Sequence, residues 1–257
     1  MQSQKKVNIK EHHFKVVYED ENIILCNKRP GVLVHEDDDG KDNTLIMHIK
    51  AYLYQKGEYD PENEQSFAPA LCNRIDRNTG GIVIGAKNAE ALRVMNEKIK
   101  NDEISKFYYC VVHGKMPKKA DALTGFLLKD SDKNQVKIFD KQVKGSKNII
   151  TKYKVISERN GMSLLEIELV TGRTHQIRVH LSAHGFPVLC DPIYGRGASR
   201  LGSVRNPELL DFLKAHDGQM LHAEVLEFAH PITGEHMRFK TRLPDDMLEL
   251  KCILEDM

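Results

Sequence analysis

The chain has 257 residues, of which 40% are hydrophobic and 29% are charged, and its formal net charge is +1. This composition is typical of a water-soluble globular protein and excludes disordered and collagen-like chains. No stretch approaches the roughly 20 uncharged residues that span a bilayer, and the N-terminal sequence MQSQKKVNIKEHH lacks the apolar run of a signal peptide. The five cysteines are odd in number, scattered and without a Cys-x-x-Cys pair. This pattern favours reduced thiols in a cytoplasmic protein without a thiolate zinc site.

The first predicted elements follow a tail, which we place at residues 1–15, ahead of one domain over residues 16–257. The apolar run NIILCN, residues 22–27, is closed by Lys-Arg-Pro-Gly and predicts a strand that ends in a turn. Thr44 can cap a helix, because apolar residues recur after it at helical spacing. The polar, proline-bearing segment 57–68 predicts a loop.

The rest of the chain predicts mostly strands. The run GIVIGA, residues 81–86, is an apolar strand, and Asn88 can cap a helix whose apolar residues recur at three and four positions. Helices are also predicted over residues 174–184, capped by Thr174, and from about residue 245. Because regular βαβ alternation is missing, the elements predict an α+β fold, with a mainly antiparallel central sheet and flanking helices and loops. Further strands are predicted near residues 106–114, 122–128, 134–139, 149–157, 162–170, 219–228 and 236–241.

Positive charge is concentrated in two windows of the chain. Residues 133–155 contain seven lysines and residues 169–207 contain five arginines, against one aspartate in each window. The compensating acidic residues lie elsewhere, notably in residues 36–42 and 58–64. Segregated basic tracts are typical of proteins that bind a polyanion, because each neutralised phosphate releases counterions. A solvated lysine face is the alternative interpretation.

The segment NRIDRNTGG, residues 73–81, carries the first candidate for chemistry. In an extended chain Arg74 and Asp76 share a face, and Arg77 with the turn-forming residues bends the chain directly after the carboxylate. A carboxylate with cations nearby stays ionised, which suits a nucleophile better than a general acid. The alternative is an Arg-Asp pair that only stabilises a turn.

The segment TGRTHQIRVH, residues 171–180, is denser in polar groups. Arg173, His175 and Gln176 can bond phosphates or base edges. On a helix Arg178 shares one side with apolar residues, so it can reach inward and would then need a buried anion, for which Asp76 is the first candidate.

His180 and His184 have the spacing of a metal site on a helix. No acid or cysteine nearby completes a ligand set, so no metal is expected. The chain also has no phosphate loop, no Gly-x-Ser-x-Gly elbow and no glycine motif for dinucleotides after a strand, so no nucleotide cofactor is expected.

Tyr108 lies in the predicted strand KFYYCVV, with its side chain on the same face as Lys106 and Cys110. An aromatic side chain there can stack on a base or transfer a proton, although a strand aromatic is more often part of the core.

Taken together, these segments resemble the RluA family of pseudouridine synthases. Their order along the chain is the family's, and the match runs from about Val17 to Pro244. The matching motifs are Arg-Ile-Asp-Arg-x-Thr-x-Gly (74–81) with Ala86-Lys87 after the strand, Lys106-x-Tyr108, TGRTHQIRVH (171–180), Gly185-x-Pro187, Asp191-Pro192-x-Tyr194-Gly195, Leu221-His222-Ala223 and His230-Pro231-x-Thr233-Gly234-Glu235.

The resemblance implies the pseudouridine synthase fold and an enzyme that isomerises uridine in RNA to pseudouridine without cofactor or metal. Asp76 matches the family's nucleophilic aspartate, Arg178 the arginine that pairs with it, and Tyr108 the active-site tyrosine placed against the uracil. Ile177 corresponds to the aliphatic residue beside the base, and Arg74 to an arginine that helps to open the RNA. The remaining residues expected to bind substrate are Arg77, Arg173, His175 and Gln176.

The chain departs from the family's usual pattern at three positions, which concern loop conformation and substrate choice rather than the reaction. Asn73 stands where a histidine is common, Gly80 where a serine is common, and Cys190 where a glycine is common.

The implied partner is structured RNA, with large-subunit ribosomal RNA expected first and transfer RNA as the alternative; no membrane contact is expected. A monomer is expected, because no heptad pattern or strongly apolar exposed stripe is visible. Two other classes stay open. A non-catalytic RNA-binding protein would tolerate loss of the Asp76 carboxylate, and a glycoside hydrolase would need a second carboxylate, for which the motifs offer no convincing partner.

Overall fold

The computed structural model describes residues 12–35, 43–63, 65–130, 135–195, 206–216 and 218–255. The chain packs into two compact units. The first comprises the residues up to Glu103 together with Phe228–Phe239, and the second comprises Ile104–Glu227 and the residues from Lys240 onwards. In the described part of the chain, no helix is both long enough and apolar enough to span a membrane.

The first unit is built on an antiparallel sheet in which β2 lies between β1 and β4, and the short β3 pairs with the end of β4. All residues of β4 and nearly all of β2 are buried, as expected for apolar strands covered on both faces. The elements of this unit are β1 Phe14–Glu19, β2 Ile23–Lys28, α1 Leu45–Gln55, β3 Ala70–Leu71, β4 Gly80–Ala86 and α2 Ala89–Lys100.

Both helices of the first unit begin where the sequence predicts. The side chain of Asn88 accepts a hydrogen bond from the amide of Ala91 at 2.8 Å, which caps α2. Thr44 precedes α1 in extended backbone, but its side chain makes no capping hydrogen bond. Leu45, Ile49 and other apolar residues of α1 are buried, so the helical spacing of apolar residues identified both elements.

The second unit contains an antiparallel sheet with the strand order β10-β5-β9-β8-β6-β7. Strand β10 also pairs with β11; the last two residues of β10 and all of β11 except Lys240 belong to the first unit. The elements are β5 Ser105–His113, β6 Ala120–Asp130, β7 Gln135–Phe139, β8 Lys147–Arg159, β9 Met162–Leu169, α3 Gln176–Ala183, α4 Pro207–Ala215, β10 Leu221–Ala229, β11 His236–Lys240 and α5 Asp245–Glu255.

Helices cover both faces of the second sheet. Val111 and Leu164 register side by side and pack with apolar residues of α4 and α5 in the larger core cluster. Tyr108 of β5 and Ile167 of β9 also register side by side, on the opposite face of the sheet. On that face, Val179 of α3 packs against a second cluster formed by β6, β7 and β8. The α+β prediction with a mainly antiparallel sheet is therefore confirmed.

Three elements are absent from the predicted set: β1, β3 and α4. Strand β1 begins at Phe14, inside the stretch predicted as a tail, and residues 1–11 of that tail lie outside the described residues. Its sequence, FKVVYE, is rich in β-branched and aromatic residues, so the assignment of residues 14 and 15 to a tail is wrong. Helix α4 has clear start signals, because Asn206 caps the amide of Leu209 and a proline follows the cap.

Helix α3 begins at Gln176, two residues later than the sequence predicts. His175 has left-handed backbone, with φ of 53°, and this conformation interrupts helical geometry directly before Gln176. The prediction that Thr174 caps this helix is therefore wrong. His175 takes the position before the first helical residue.

Candidate active site

Asp76 lies in the irregular segment between β3 and β4 of the first unit. The side-chain oxygen of Asn73 accepts a hydrogen bond from the amide of Ile84 at 2.7 Å, which attaches the start of this segment to β4. After the carboxylate, the amide of Thr79 donates to the carbonyl of Asp76 at 3.1 Å and closes the predicted turn. The side chain of Asp76 is thus presented from a segment whose two ends are both fixed.

Side-chain exposure differs from residue to residue along this segment. Ile75 is buried with 8% of its surface exposed, Asp76 is half-buried, and Arg74 and Arg77 are exposed. The Nε of Arg77 donates to the carbonyl of Gly31 at 3.1 Å, so part of this guanidinium stabilises the neighbouring turn. The remaining donors of Arg77 and those of Arg74 lie at the surface, where they can meet a phosphate.

A buried lysine that the sequence patterns do not single out lies beside the turn. Only 1% of Lys28 is exposed, and its ammonium donates to the carbonyls of Val32 at 2.8 Å, Arg77 at 2.9 Å and Arg29 at 3.0 Å. Burial lowers the pKa of Lys28 to about 7, and the negative charge of Asp76 acts in the opposite direction. Lys28 therefore joins the turn after β2 to the turn that carries Asp76. A lysine before Arg-Pro-Gly is ordinarily exposed, so the sequence offers no signal for this role.

In the second unit, Gln176 organises the segment before α3. Its side-chain oxygen accepts from the hydroxyl of Thr171 at 2.9 Å and from the amide of Arg173 at 3.1 Å. Its side-chain nitrogen donates to the carbonyl of Ile150 at 3.1 Å and to the hydroxyl of Thr151 at 3.0 Å. These bonds use the two donors and two acceptor positions of a glutamine amide, and only 2% of Gln176 is exposed. The loop that presents Arg173 is therefore attached to β8 through Gln176.

Arg178 is buried in α3 with 3% of its surface exposed. Its Nε donates to Oδ2 of Asp191 at 2.7 Å and its Nη2 donates to Oδ1 at 2.9 Å. The sequence predicts a buried anion for this arginine, and the structure supplies Asp191 in that role. The pairing of Arg178 with Asp76 stays a prediction.

His175 and Tyr194 extend the cluster around Arg178. The Nδ1 of His175 and the hydroxyl of Tyr194 are 3.0 Å apart, and the guanidinium carbon of Arg178 lies 5.2 Å from the centre of the Tyr194 ring, within the range of a cation–π contact. His175 is half-buried and Arg173 is exposed, while Ile177 is buried with 4% of its surface exposed.

Tyr108 lies on the face of the second sheet that α3 covers. It registers beside Ile167, which registers beside Tyr153, and Thr151 follows on the same face of β8. Tyr108 is 7% exposed. Lys106, two residues earlier on the same face, places its ammonium close to Gly172, where an added Cβ would lie 4.0 Å away.

The basic tract of residues 133–155 runs through β7, β8 and their connection. Lys152 forms an ion pair with Glu168 at 2.9 Å. Lys133, the segment 36–42 and three arginines of the second basic window, 196, 200 and 205, lie outside the described residues. The exposed lysines of the described part of the tract are Lys137, Lys141, Lys144, Lys147, Lys152 and Lys154.

The predicted site residues thus form two groups, one in each unit. In the first unit, Arg74, Asp76 and Arg77 share one short segment beside Lys28. In the second, the residues grouped at the start of α3 are Arg173, His175, Gln176, Ile177 and Arg178, and Tyr108 lies on the sheet face that this helix covers. Asp191 and Tyr194 join the second group; the sequence places them in a matching motif but not among the expected site residues.

Comparisons with known proteins agree on one family. A family model described as RNA pseudouridylate synthase matches residues 22–183. The ribosomal large subunit pseudouridine synthase D of Pseudomonas aeruginosa is 30% identical over 240 residues, which cover 93% of this chain and 71% of that protein. An uncharacterized RNA pseudouridine synthase of Bacillus subtilis is 32% identical over 235 residues, covering 91% of this chain and 71% of that protein.

Solved structures show the same fold at lower sequence identity. Human RNA pseudouridylate synthase domain containing 4 superimposes with a TM-score of 0.70 at 21% identity, covering 91% of this chain and 90% of that chain. Human RNA pseudouridylate synthase domain containing 1 gives a TM-score of 0.67 at 21% identity and covers 96% of both chains.

Proposed function

The chain belongs to the RNA pseudouridylate synthase family, and we propose that it converts specific uridines of large-subunit ribosomal RNA to pseudouridine with Asp76 as the catalytic carboxylate. Membership makes the protein an isomerase that acts on RNA. The observation that carries the proposal is the family match over residues 22–183, which includes Asp76, Tyr108 and Arg178. The choice of ribosomal RNA rests on the relative from Pseudomonas aeruginosa, which is named a ribosomal large subunit pseudouridine synthase.

The reaction breaks the bond between ribose and the uracil ring nitrogen, turns the ring and joins the ribose to carbon 5, which releases the proton of that carbon. The change is an isomerisation, so it needs no oxidant or reductant. Covalent catalysis divides it into smaller steps, and a carboxylate can start it either by attacking the sugar or by removing a ribose proton. Both routes need an ionised Asp76.

The target uridine must leave its stack before any group can reach it, which costs a few kcal/mol. We propose that Arg74 holds the opened position, and that Arg77 and Arg173 contact phosphates, because all three are exposed. The exposed lysines from Lys137 to Lys154 extend this cationic surface, and phosphate contacts of this kind offset the cost of unstacking.

In the second unit, we assign Tyr108 and Ile177 to the uracil ring and Arg178 to the cation that serves the carboxylate. His175 is expected to contact the substrate beside them. The amide of Gln176 is occupied by four hydrogen bonds within the protein, so we propose that it holds the Arg173 loop in place instead of bonding RNA directly.

We place the protein in the cytoplasm as a monomer. All five cysteines are free thiols, which suits a reducing compartment. The expectation of a monomer has its support in the sequence, where no heptad pattern is visible.

Replacing the carboxylate tests the proposed reaction. We expect Asp76→Asn and Asp76→Ala to bind RNA and to release no tritium from RNA labelled at uracil carbon 5, since either route needs the ionised group. Asp102→Asn is the matched control, because Asp102 is exposed and has φ of 55°, a conformation that asparagine adopts readily. The same assay on large-subunit ribosomal RNA and on transfer RNA decides between the two substrates. Normal turnover by Asp76→Asn would refute the role of Asp76.

A further inference from the structure

The carboxylate of Asp191 is fully enclosed, with no side-chain surface exposed, and its two oxygens have different partners. Oδ1 accepts from the amides of Ile193 at 2.9 Å and Tyr194 at 3.0 Å, and from Nη2 of Arg178 at 2.9 Å. Oδ2 accepts from Nε of Arg178 at 2.7 Å. Both oxygens therefore bond the arginine, and Oδ1 also holds the turn that follows Asp191.

The turn itself is tightly closed. The amide of Gly195 donates to the carbonyl of Asp191 at 3.0 Å, and a Cβ at Gly195 would lie 2.6 Å from that carbonyl oxygen, so no other residue fits there without movement. The closed turn consequently holds Asp191 in a fixed position, so its carboxylate is not a counter-ion that can move with its partner.

Two parallel hydrogen bonds from a guanidinium to one carboxylate fix both the position and the plane of the guanidinium. For Arg178, the ring of Tyr194 adds a second constraint at 5.2 Å from the guanidinium carbon. Tyr194 is itself attached to Oδ1 of Asp191 through its amide and to His175 through its hydroxyl. The arginine is thus held from two sides by residues of a single turn.

We propose that Asp191 is a positioning residue for the isomerisation: it fixes the guanidinium of Arg178 in the orientation that the reaction requires. The inference rests on the proposed function only in that it takes Arg178 to be the cation of the active site. A misplacement of about 1 Å in such a group can cost on the order of 100-fold in rate. A carboxylate that only balanced a buried charge would be insensitive to such a change of position.

Two substitutions separate these roles. Asp191→Asn keeps the oxygen that bonds the two amides of the turn and places an NH2 group opposite Nε of Arg178, so the turn survives while the fork is broken. Asp191→Glu keeps the charge but moves it by one methylene. We expect either variant to lower kcat by about 10- to 100-fold with little change in KM for RNA, because Asp191 is enclosed and does not touch substrate. Turnover is measured as tritium release at a temperature where circular dichroism shows each variant to be folded.

The matched control is Asp20→Asn. The carboxylate of Asp20 also bonds both a turn and side chains. One oxygen accepts from the amides of Asn22 and Ile23, and the other bonds the side chains of Tyr18 and His230. This variant should lose stability as the Asp191 variants do and retain wild-type kcat.

A double-mutant cycle with Arg178→Lys completes the test. Lysine keeps the charge of Arg178 but cannot form the fork. If Asp191 acts through that fork, adding Asp191→Asn to Arg178→Lys lowers kcat little further. Full kcat in a folded Asp191→Glu or Asp191→Asn protein, or multiplicative losses in the cycle, would overturn the inference. If one Asp191 variant does not fold, the other takes its place in the cycle. Absence of tritium release by the wild-type protein would instead count against the proposed function.

Discussion

Lys28 and Arg178 are long cationic side chains that are almost fully buried, with 1% and 3% of their surface exposed. Their partners differ in kind: Lys28 bonds three neutral carbonyls, whereas Arg178 bonds a carboxylate. Burial accordingly lowers the pKa of Lys28 to about 7. Burial alone would raise the pKa of Asp191, but the hydrogen bonds and charge of Arg178 bring it below its ordinary value. A cation without an anionic partner is therefore the more sensitive of the two to pH.

Replacing Lys28 by methionine should expose this difference. The substitution removes three hydrogen bonds and leaves their carbonyl acceptors without the ammonium, so we expect the free energy of unfolding to fall by about 1–3 kcal/mol at neutral pH. Between pH 7 and about 10.5 the unfolded wild-type chain holds a proton that the folded chain has released. The contribution of Lys28 to the free energy of unfolding of the wild-type protein therefore rises with pH.

Urea denaturation of both proteins at about pH 7 and pH 9 checks this expectation. The stability gap between wild type and Lys28→Met should widen by about 2 kcal/mol over that interval. A gap that does not change with pH would contradict the lowered pKa of Lys28.

Cys190, one of the three departures from the family pattern, keeps a backbone conformation that is typical of glycine. It stands where the resembled family commonly has glycine, and it has φ of 58°, a left-handed conformation that costs most residues roughly 1–2 kcal/mol. The backbone shape suited to glycine is thus retained without the glycine. The loop conformation that the sequence left open before Asp191 is the left-handed one.

Among the elements, α3 depends on its neighbours for its position. It has eight residues, which is too short to be stable alone, and its first turn has no side-chain cap. Gln176 supplies the attachment instead, through two bonds to the preceding loop and two to β8. His180 adds a contact from its Nδ1 to the hydroxyl of Thr151 at 3.0 Å. The position of this helix is therefore set by tertiary hydrogen bonds.

Gln176→Glu tests that attachment at nearly constant size. It replaces the NH2 group facing the carbonyl of Ile150 and the hydroxyl of Thr151 by an oxygen that cannot donate, so we expect the free energy of unfolding to fall by about 2–4 kcal/mol. Gln65→Glu, in an exposed loop, should leave stability within about 0.5 kcal/mol of wild type. Chemical denaturation of the three proteins measures both effects, and equal stability of the two variants would exclude a supporting role for Gln176.

On the scale of the whole molecule, each compact unit contains a buried histidine that folds in its neutral form. Burial lowers the pKa of His48 to about 4, helped by the charges of His13 and His12. Burial likewise lowers the pKa of His180 to about 4, helped by His184. Nδ1 of His48 is buried and has no hydrogen-bond partner among the described residues, and at His180 burial outweighs a hydrogen bond with the backbone of Thr124 that favours the charged form.

We therefore expect acid to destabilise the protein before its carboxylates are protonated. The unfolded chain binds these protons below about pH 6.5 and the folded chain only near pH 4, so stability falls as the pH falls through this window. At about pH 5 each histidine should account for about 2 kcal/mol of the loss.

Urea denaturation from about pH 7.5 to pH 5 gives the slope of the free energy of unfolding against pH. His48→Gln and His180→Gln should each flatten it, whereas His216→Gln, which replaces a less buried histidine, serves as the control. An unchanged slope in both test variants would show that these histidines do not bind protons on unfolding.

The sequence by itself determined the helices α1 and α2, most strands and the family, because periodicity, caps and contiguous motifs are local properties of the chain. It also identified the segments around Asp76 and before α3. The pairing of Arg178 with Asp76 stays a prediction.

Only the tertiary structure decided which buried charges meet. Arg178 bonds Asp191 from 13 positions away, and Lys28 bonds the carbonyl of Arg77 from 49 positions away. The physical reason is that desolvation requires each buried cation to find acceptors, and which acceptors lie within reach depends on how distant segments pack. Spacing along the chain cannot encode that choice.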